Sequence, residues 1–179
     1  MTSTSIMEFA PEYVRAIGMI SIENANMELA LAALFSRIIQ VQLKTGRAIY
    51  LTPKSAVART EIFENAAKAA LDPEAWHGNK AHHDEMRAAL NKTLNIIERA
   101  KTAIGKRHGI MHDQWGVNID TDEVERRSLG KPAKTDGVVS VETLESLIAS
   151  MRAIICEARE LAAKFRTKPP QMVDMRIDA

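Results

Sequence analysis

Apolar residues recur along most of this chain in steps of three and four, the period of one face of an α-helix. From Ile17 the positions Ile17, Ile20, Asn24, Met27, Leu31, Leu34, Ile38 and Val41 form such a stripe, and Pro11, suited to a first helical turn, opens it. The pattern predicts a first helix from Pro11 to about Lys44, closed by Thr45-Gly46, with 47–52 as a connector. Thr52-Pro53 then supplies an N-cap and a first-turn proline for a second helix reaching about Leu71. Asp72-Pro73 repeats the signal for a short extra turn, broken at His77-Gly78-Asn79. A third long helix is predicted from Lys80 to Lys106, with Met86, Leu90, Leu94, Ile97, Ala100 and Ile104 on one face.

The stretch from Trp115 to Ser128 alternates only weakly, which leaves a small two-stranded hairpin and a coil both open. Leu129 to Val139, with Gly130, Pro132 and Gly137, reads as a loop. Ser140 caps a last helix whose apolar face runs Val141, Leu144, Leu147, Ile148, Met151, Ile154, Ile155, Ala158, Leu161 and Phe165. Pro169-Pro170 ends regular structure. The predicted fold is all-α: an antiparallel bundle of four main helices, with a short extra helix and room for a hairpin before the last one. Residues 1–10 are expected to be a flexible start, 11–167 a single domain, and 168–179 a tail.

Composition sharpens this picture. Hydrophobic residues make up 46% of the 179 and aromatics 4%, with nine methionines, so the core must be aliphatic. The 24 basic and 23 acidic residues nearly cancel, which argues against a protein that coats long nucleic acid but not against a small local site. The lone Cys156 forms no internal disulfide and lacks a paired base that would make it a nucleophile. No charged-then-apolar leader opens the chain, and the longest apolar run, Leu29 to Phe35, is far too short for a bilayer, so a cytoplasmic protein without a membrane partner is expected. There is no internal repeat, glycine-rich phosphate loop or nucleotide fingerprint. His77, His82 and His83 near Asp84 follow no metal-ligand spacing and read as solvated; neither a metal nor a cofactor is expected.

Chemistry gathers in Lys106 to Trp115, KRHGIMHDQW. Arg107 is a permanent cation whose planar fork matches two phosphate oxygens, and His112 can give and take a proton near neutrality. Arg99, Lys101, Lys106 and Arg107 precede any acid, so the neighbourhood reads as electropositive. Farther on, Arg126, Arg127, Lys131 and Lys134 read as solvated, with contact to a substrate backbone as the alternative. In an unbroken helix Arg107 and His112 would stand roughly 140° apart around the axis. A bend or helix end between them would let both face one site, and Gly105 and Gly109 permit it. Polar Asn24 on the first apolar stripe has two readings, a register-setting hydrogen bond in the core or a wall of the Arg/His pocket.

This stretch resembles the HEPN superfamily, marked by an arginine, often a polar residue after it, and a histidine after a gap of four to six, at the end of a long helix in a helical bundle. Arg107-His108-Gly109-Ile110-Met111-His112 fits with a gap of four, and the trailing Asp113-Gln114-Trp115-Gly116 is similar to the H-x-x-W-G ending of many bacterial members. The resemblance implies a metal-independent endoribonuclease, a homodimer with both motifs facing across the interface, single-stranded RNA as substrate, and a toxin or antiviral-defence setting. It casts Arg107 as the phosphate ligand, His112 as general base or acid, and His108 as a phosphate-positioning or proton-sharing residue. Glu28 matches a place where related proteins carry a glutamate on the first helix, and would support the site beside Asn24. Members silenced by a nucleotidyltransferase antitoxin carry tyrosine two residues after the histidine, where this chain has Gln114. Two other readings are a dimeric module that binds a nucleotide, RNA or protein without cleavage, and a structural bundle in which Arg107 and His112 cap their own helix.

Overall fold

The computed structural model describes residues 10–72, 80–118, 121, 123–127 and 135–167. They form a helical bundle with a small antiparallel sheet inserted before the last helix, in the order α1 (Pro11–Ile38), α2 (Leu43–Leu51), α3 (Ala56–Ala69), α4 (Lys80–His112), β1 (Gln114–Val117), β2 (Val124–Arg127), β3 (Thr135–Val138) and α5 (Val141–Thr167). The predicted start of the chain, the His77-Gly78-Asn79 break, Lys131, Lys134 and the C-terminal tail lie outside the described residues, as do the side chains of His82 and Arg127. No helix among the described residues is long and apolar enough to cross a membrane.

Contacts sort the chain into two compact units, one built from 1–26 and 102–153, the other from 27–101 and 154–179. In the second unit the stripe residues Met27, Leu31, Leu34 and Ile38 are buried, as are Leu90, Ile97, Ala158 and Phe165. Here the few aromatics are concentrated: Phe35, Tyr50 and Phe63 meet edge-to-face or tilted, with ring centroids 5.7 to 6.2 Å apart. Buried Glu28 takes two hydrogen bonds from Arg59, at 2.9 and 3.1 Å, and Arg59 also donates to the Pro53 carbonyl at 2.9 Å. The guanidinium therefore ties α1 to the loop that starts α3. Burial, and then the neighbouring Glu28 charge, push the Tyr50 hydroxyl well above its ordinary titration range.

Three features of this region differ from the sequence reading. The first helix ends at Ile38 rather than near Lys44, with Gln40 in the left-handed region at φ 55° and the Val41 amide donating to the Ser36 carbonyl at 3.1 Å. Glycine or asparagine would have advertised that closure; glutamine does not. The supposed connector is helix α2, and Gly46 lies inside it because a Cβ there would overlap Ser36, whose Cα would be 2.7 Å away. Gly46 thus marks a close helix approach rather than a helix end. Ser55, not Thr52, caps α3, its hydroxyl accepting from the Ala58 amide at 3.1 Å.

In the first unit Ala16 and Ile20 of α1, Ala103, Ile104 and Ile110 of α4, Val124 of β2, and Leu144, Leu147 and Met151 of α5 are buried. Arg152 pairs with Glu23 at 2.7 Å, fixing α5 to α1. The hairpin is real: β1 and β2 pair antiparallel with Trp115 opposite Arg126 and Gly116 opposite Glu125. A third strand corrects the loop expected up to Val139. Thr135–Val138 pairs with β2, with a register shift between Glu125 and Arg127 and Gly137 at φ 85°. An irregular four-residue strand with a glycine in it offers no alternation to read. Ser140 precedes α5 as predicted, its hydroxyl accepting from the Thr143 amide at 3.4 Å.

Candidate functional site

The motif is not at a helix break. Helix α4 continues unbroken through Lys106, Arg107 and Gly109 to His112, so the expected end at Lys106 is six residues too early. Glycine lowers helix stability by only about 1 kcal/mol, and Gly105 and Gly109 are carried by the residues on either side. The real closure comes from beyond the helix. Trp115 at the start of β1 turns back so that its indole Nε1 donates to the Ile110 carbonyl at 2.9 Å, satisfying one of the acceptors a helix end leaves open. The Asp113 amide continues the ladder to the Gly109 carbonyl at 3.0 Å.

An unbroken helix decides which side chains meet. Residues four apart share a face, and His108 and His112 stand together with ring centroids 4.5 Å apart and planes tilted by 50°, both exposed. Arg107 lies at roughly 100° from His108 and 140° from His112 around the axis. Its side chain is half-buried, and its Nε is enclosed without a hydrogen-bond partner among the described residues. The capping reading, in which Arg107 and His112 bind carbonyls of their own helix, has no bond to support it; the tryptophan does that work.

Asn24 stands in the same unit. The Ser21 hydroxyl of α1 meets the Met111 sulfur of α4 at 3.3 Å. Asn24 lies about one turn onward from Ser21 along α1, and Arg107 and His108 about one turn back from Met111 along α4. The Asn24 Oδ1 is buried and accepts nothing among the described residues, so it does not form the expected register-setting bond. An unpaired acceptor and an unpaired donor among the described residues, Asn24 Oδ1 and Arg107 Nε, thus belong to one unit. Buried polar atoms left this way are costly to the fold.

The sheet adds a second guanidinium. Arg126 of β2 pairs with Asp113 at 3.2 Å, and a Cβ placed on Gly109 would be 3.7 Å from its Nη1. Arg126 therefore stands over the turn that carries the imidazole pair. Other expected members are engaged by partners of their own. Glu28 belongs to the second unit, where both its oxygens are engaged by Arg59. Arg99 is held by Glu157 at 2.8 Å, and Lys101 by Glu98 at 2.9 Å and by Glu64, so the positive run is neutralised except near Lys106 and Arg107. A cavity of about 600 Å³ in the first unit is lined by Ala10, Tyr13, Val117, Glu123, Val124 and Val138 among others, and by no motif residue.

One signal was present in the sequence and unused, the spacing of four between His108 and His112 that puts both on one helix face. Arg126 and Asp113 had none, because strand pairing alone brings them together. Compared with protein-family models, with curated proteins and with solved structures, the chain matches none of them.

Proposed function

We propose that the chain is a metal-independent endoribonuclease of the toxin or antiviral-defence type, cutting single-stranded RNA with the last turn of α4 and completed across a homodimer. The observation that carries this reading is the exposed His108/His112 pair, 4.5 Å between centroids, on the helix that also carries Arg107. Two adjacent imidazoles can divide the proton work of phosphodiester transfer. His112, as base, takes the proton of the ribose 2′-hydroxyl while that oxygen attacks phosphorus; His108, protonated, gives its proton to the departing 5′-oxygen. The products are a 2′,3′-cyclic phosphate and a 5′-hydroxyl. Arg107 neutralises the phosphate oxygens with its fork. In a homodimer, the roughly 140° between Arg107 and His112 on a straight helix would suit this guanidinium to the phosphate beside the partner copy's imidazoles.

The same angle favours a second reading, a dimeric module that binds a nucleotide, RNA or protein partner without cleaving. One experiment separates them. Purified protein is incubated with a labelled single-stranded RNA panel in EDTA, beside Arg107→Ala and His112→Ala. Cleavage that both variants lose, with cyclic-phosphate ends, supports the nuclease. RNA retention without cleavage, lost with Arg107→Ala and kept with His112→Ala, supports the module.

A further inference from the structure

We infer that His108 and His112 form a chelating site for a first-row divalent metal ion of the zinc, nickel or copper type, and that its occupancy shuts off the α4 site. Two histidines four apart on one helix face are a recurring zinc-binding arrangement, since a single helical turn separates their rings by about the span one metal ion bridges. Here the rings already stand 4.5 Å apart and open to solvent. Binding needs only rotamer adjustment, because the helix beneath is held shut by the Trp115 indole on Ile110. Imidazole nitrogen selects this metal class; magnesium and calcium prefer oxygen ligands.

The neighbourhood also sets how many ligands the chain supplies. Asp113 is the adjacent carboxylate, but it is paired to Arg126 and only 8% exposed. Among the described residues no group of three or more histidine, cysteine, aspartate or glutamate side chains could hold a metal. The chelate is therefore a two-nitrogen site with its remaining positions filled by water, reversible rather than structural. Such a metal takes the lone pair of each ring, the electrons with which an imidazole accepts a proton. Both proton carriers are then removed by one ion. This inhibitory consequence rests on the proposed nuclease reading; the binding itself does not.

The full chain is titrated with zinc chloride and with nickel chloride, followed by calorimetry and by the histidine ring protons in NMR. Wild type, His108→Ala and His112→Ala are compared, with circular dichroism confirming helix content and magnesium chloride as control. Expected are a single ion per chain, changes confined to the His108 and His112 ring signals, affinity weakened about tenfold or more in each variant, and no response to magnesium. Equal affinity in the variants, or no binding by the wild type, overturns the site. Where RNA is cleaved in EDTA, zinc above the measured Kd is expected to stop cleavage and excess EDTA to restore it; cleavage undiminished at saturating zinc overturns the regulation. Metal binding without any RNA cleavage leaves the site standing and removes the nuclease reading, so the two fail separately.

Discussion

Asp113 and Arg126 join the end of α4 to the middle strand, Nε to Oδ2 at 3.2 Å, and they do so unequally: the carboxylate is 8% exposed and the guanidinium 24%. The more buried partner suffers more when left alone. Arg126→Ala is expected to cost about 2 kcal/mol and Asp113→Asn about 1 kcal/mol. Urea denaturation checks this; equal losses would give the pair the value of a solvated surface contact.

Glu28 separates stability from chemistry. With both oxygens on Arg59 in a buried setting, Glu28→Ala is expected to lose about 3 kcal/mol. RNA cleavage at a temperature where the variant remains folded is expected to be unchanged. A slower reaction in a variant of wild-type stability would return Glu28 to the site.

Gly46 and Gly105 are both helical and should respond in opposite directions. A Cβ at Gly105 meets nothing within 4 Å, so Gly105→Ala is expected to stabilise by up to about 1 kcal/mol. A Cβ at Gly46 overlaps Ser36 backbone, so Gly46→Ala is expected to cost about 1–3 kcal/mol. Thermal midpoints report both. A destabilised Gly105→Ala would mean that α4 does bend before the motif.

Acid should weaken the second unit through Glu64. Lys101 first, and Lys68 next, hold this carboxyl down at about 2 against an ordinary 4.5. A folded-state pKa below the unfolded one stabilises the fold above pH 4.5, and that contribution fades as pH falls from 4.5 towards 2. Wild type minus Glu64→Gln, in stability against pH, is expected to slope in that window and to be flat above it. A flat difference throughout would show the two lysines to be free in solution.

What could be read in the sequence was local. The Ile17–Ile38 stripe, the Ser140 cap and the 3.6-residue face of α5 are periodicities and first-turn signals, and they appear where expected. Two of the differences turn on glycine, which as a local signal reads as punctuation. Gly46 answers to Ser36 on another helix, and Gly109 sits in a turn whose fate is decided by Trp115 on a later strand. Glu28 and Arg59 lie 31 positions apart, and nothing near either one names the other. At the candidate site the residue types were legible, but which of them share a face was not. That depended on whether α4 stopped before His112 or after it.

The Trp115 indole, fixed to the Ile110 carbonyl at 2.9 Å, closes helix α4. It is also a built-in optical probe. The chain has one other tryptophan, Trp76, so Trp76→Phe leaves a single emitter, fixed to the turn of α4 that carries His108 and His112. Copper or nickel chelated by the proposed His108/His112 site is expected to quench that emitter, and a bound RNA base to shift its emission. Occupancy of the site can therefore be followed in real time on the unlabelled protein, whether or not any bond is broken.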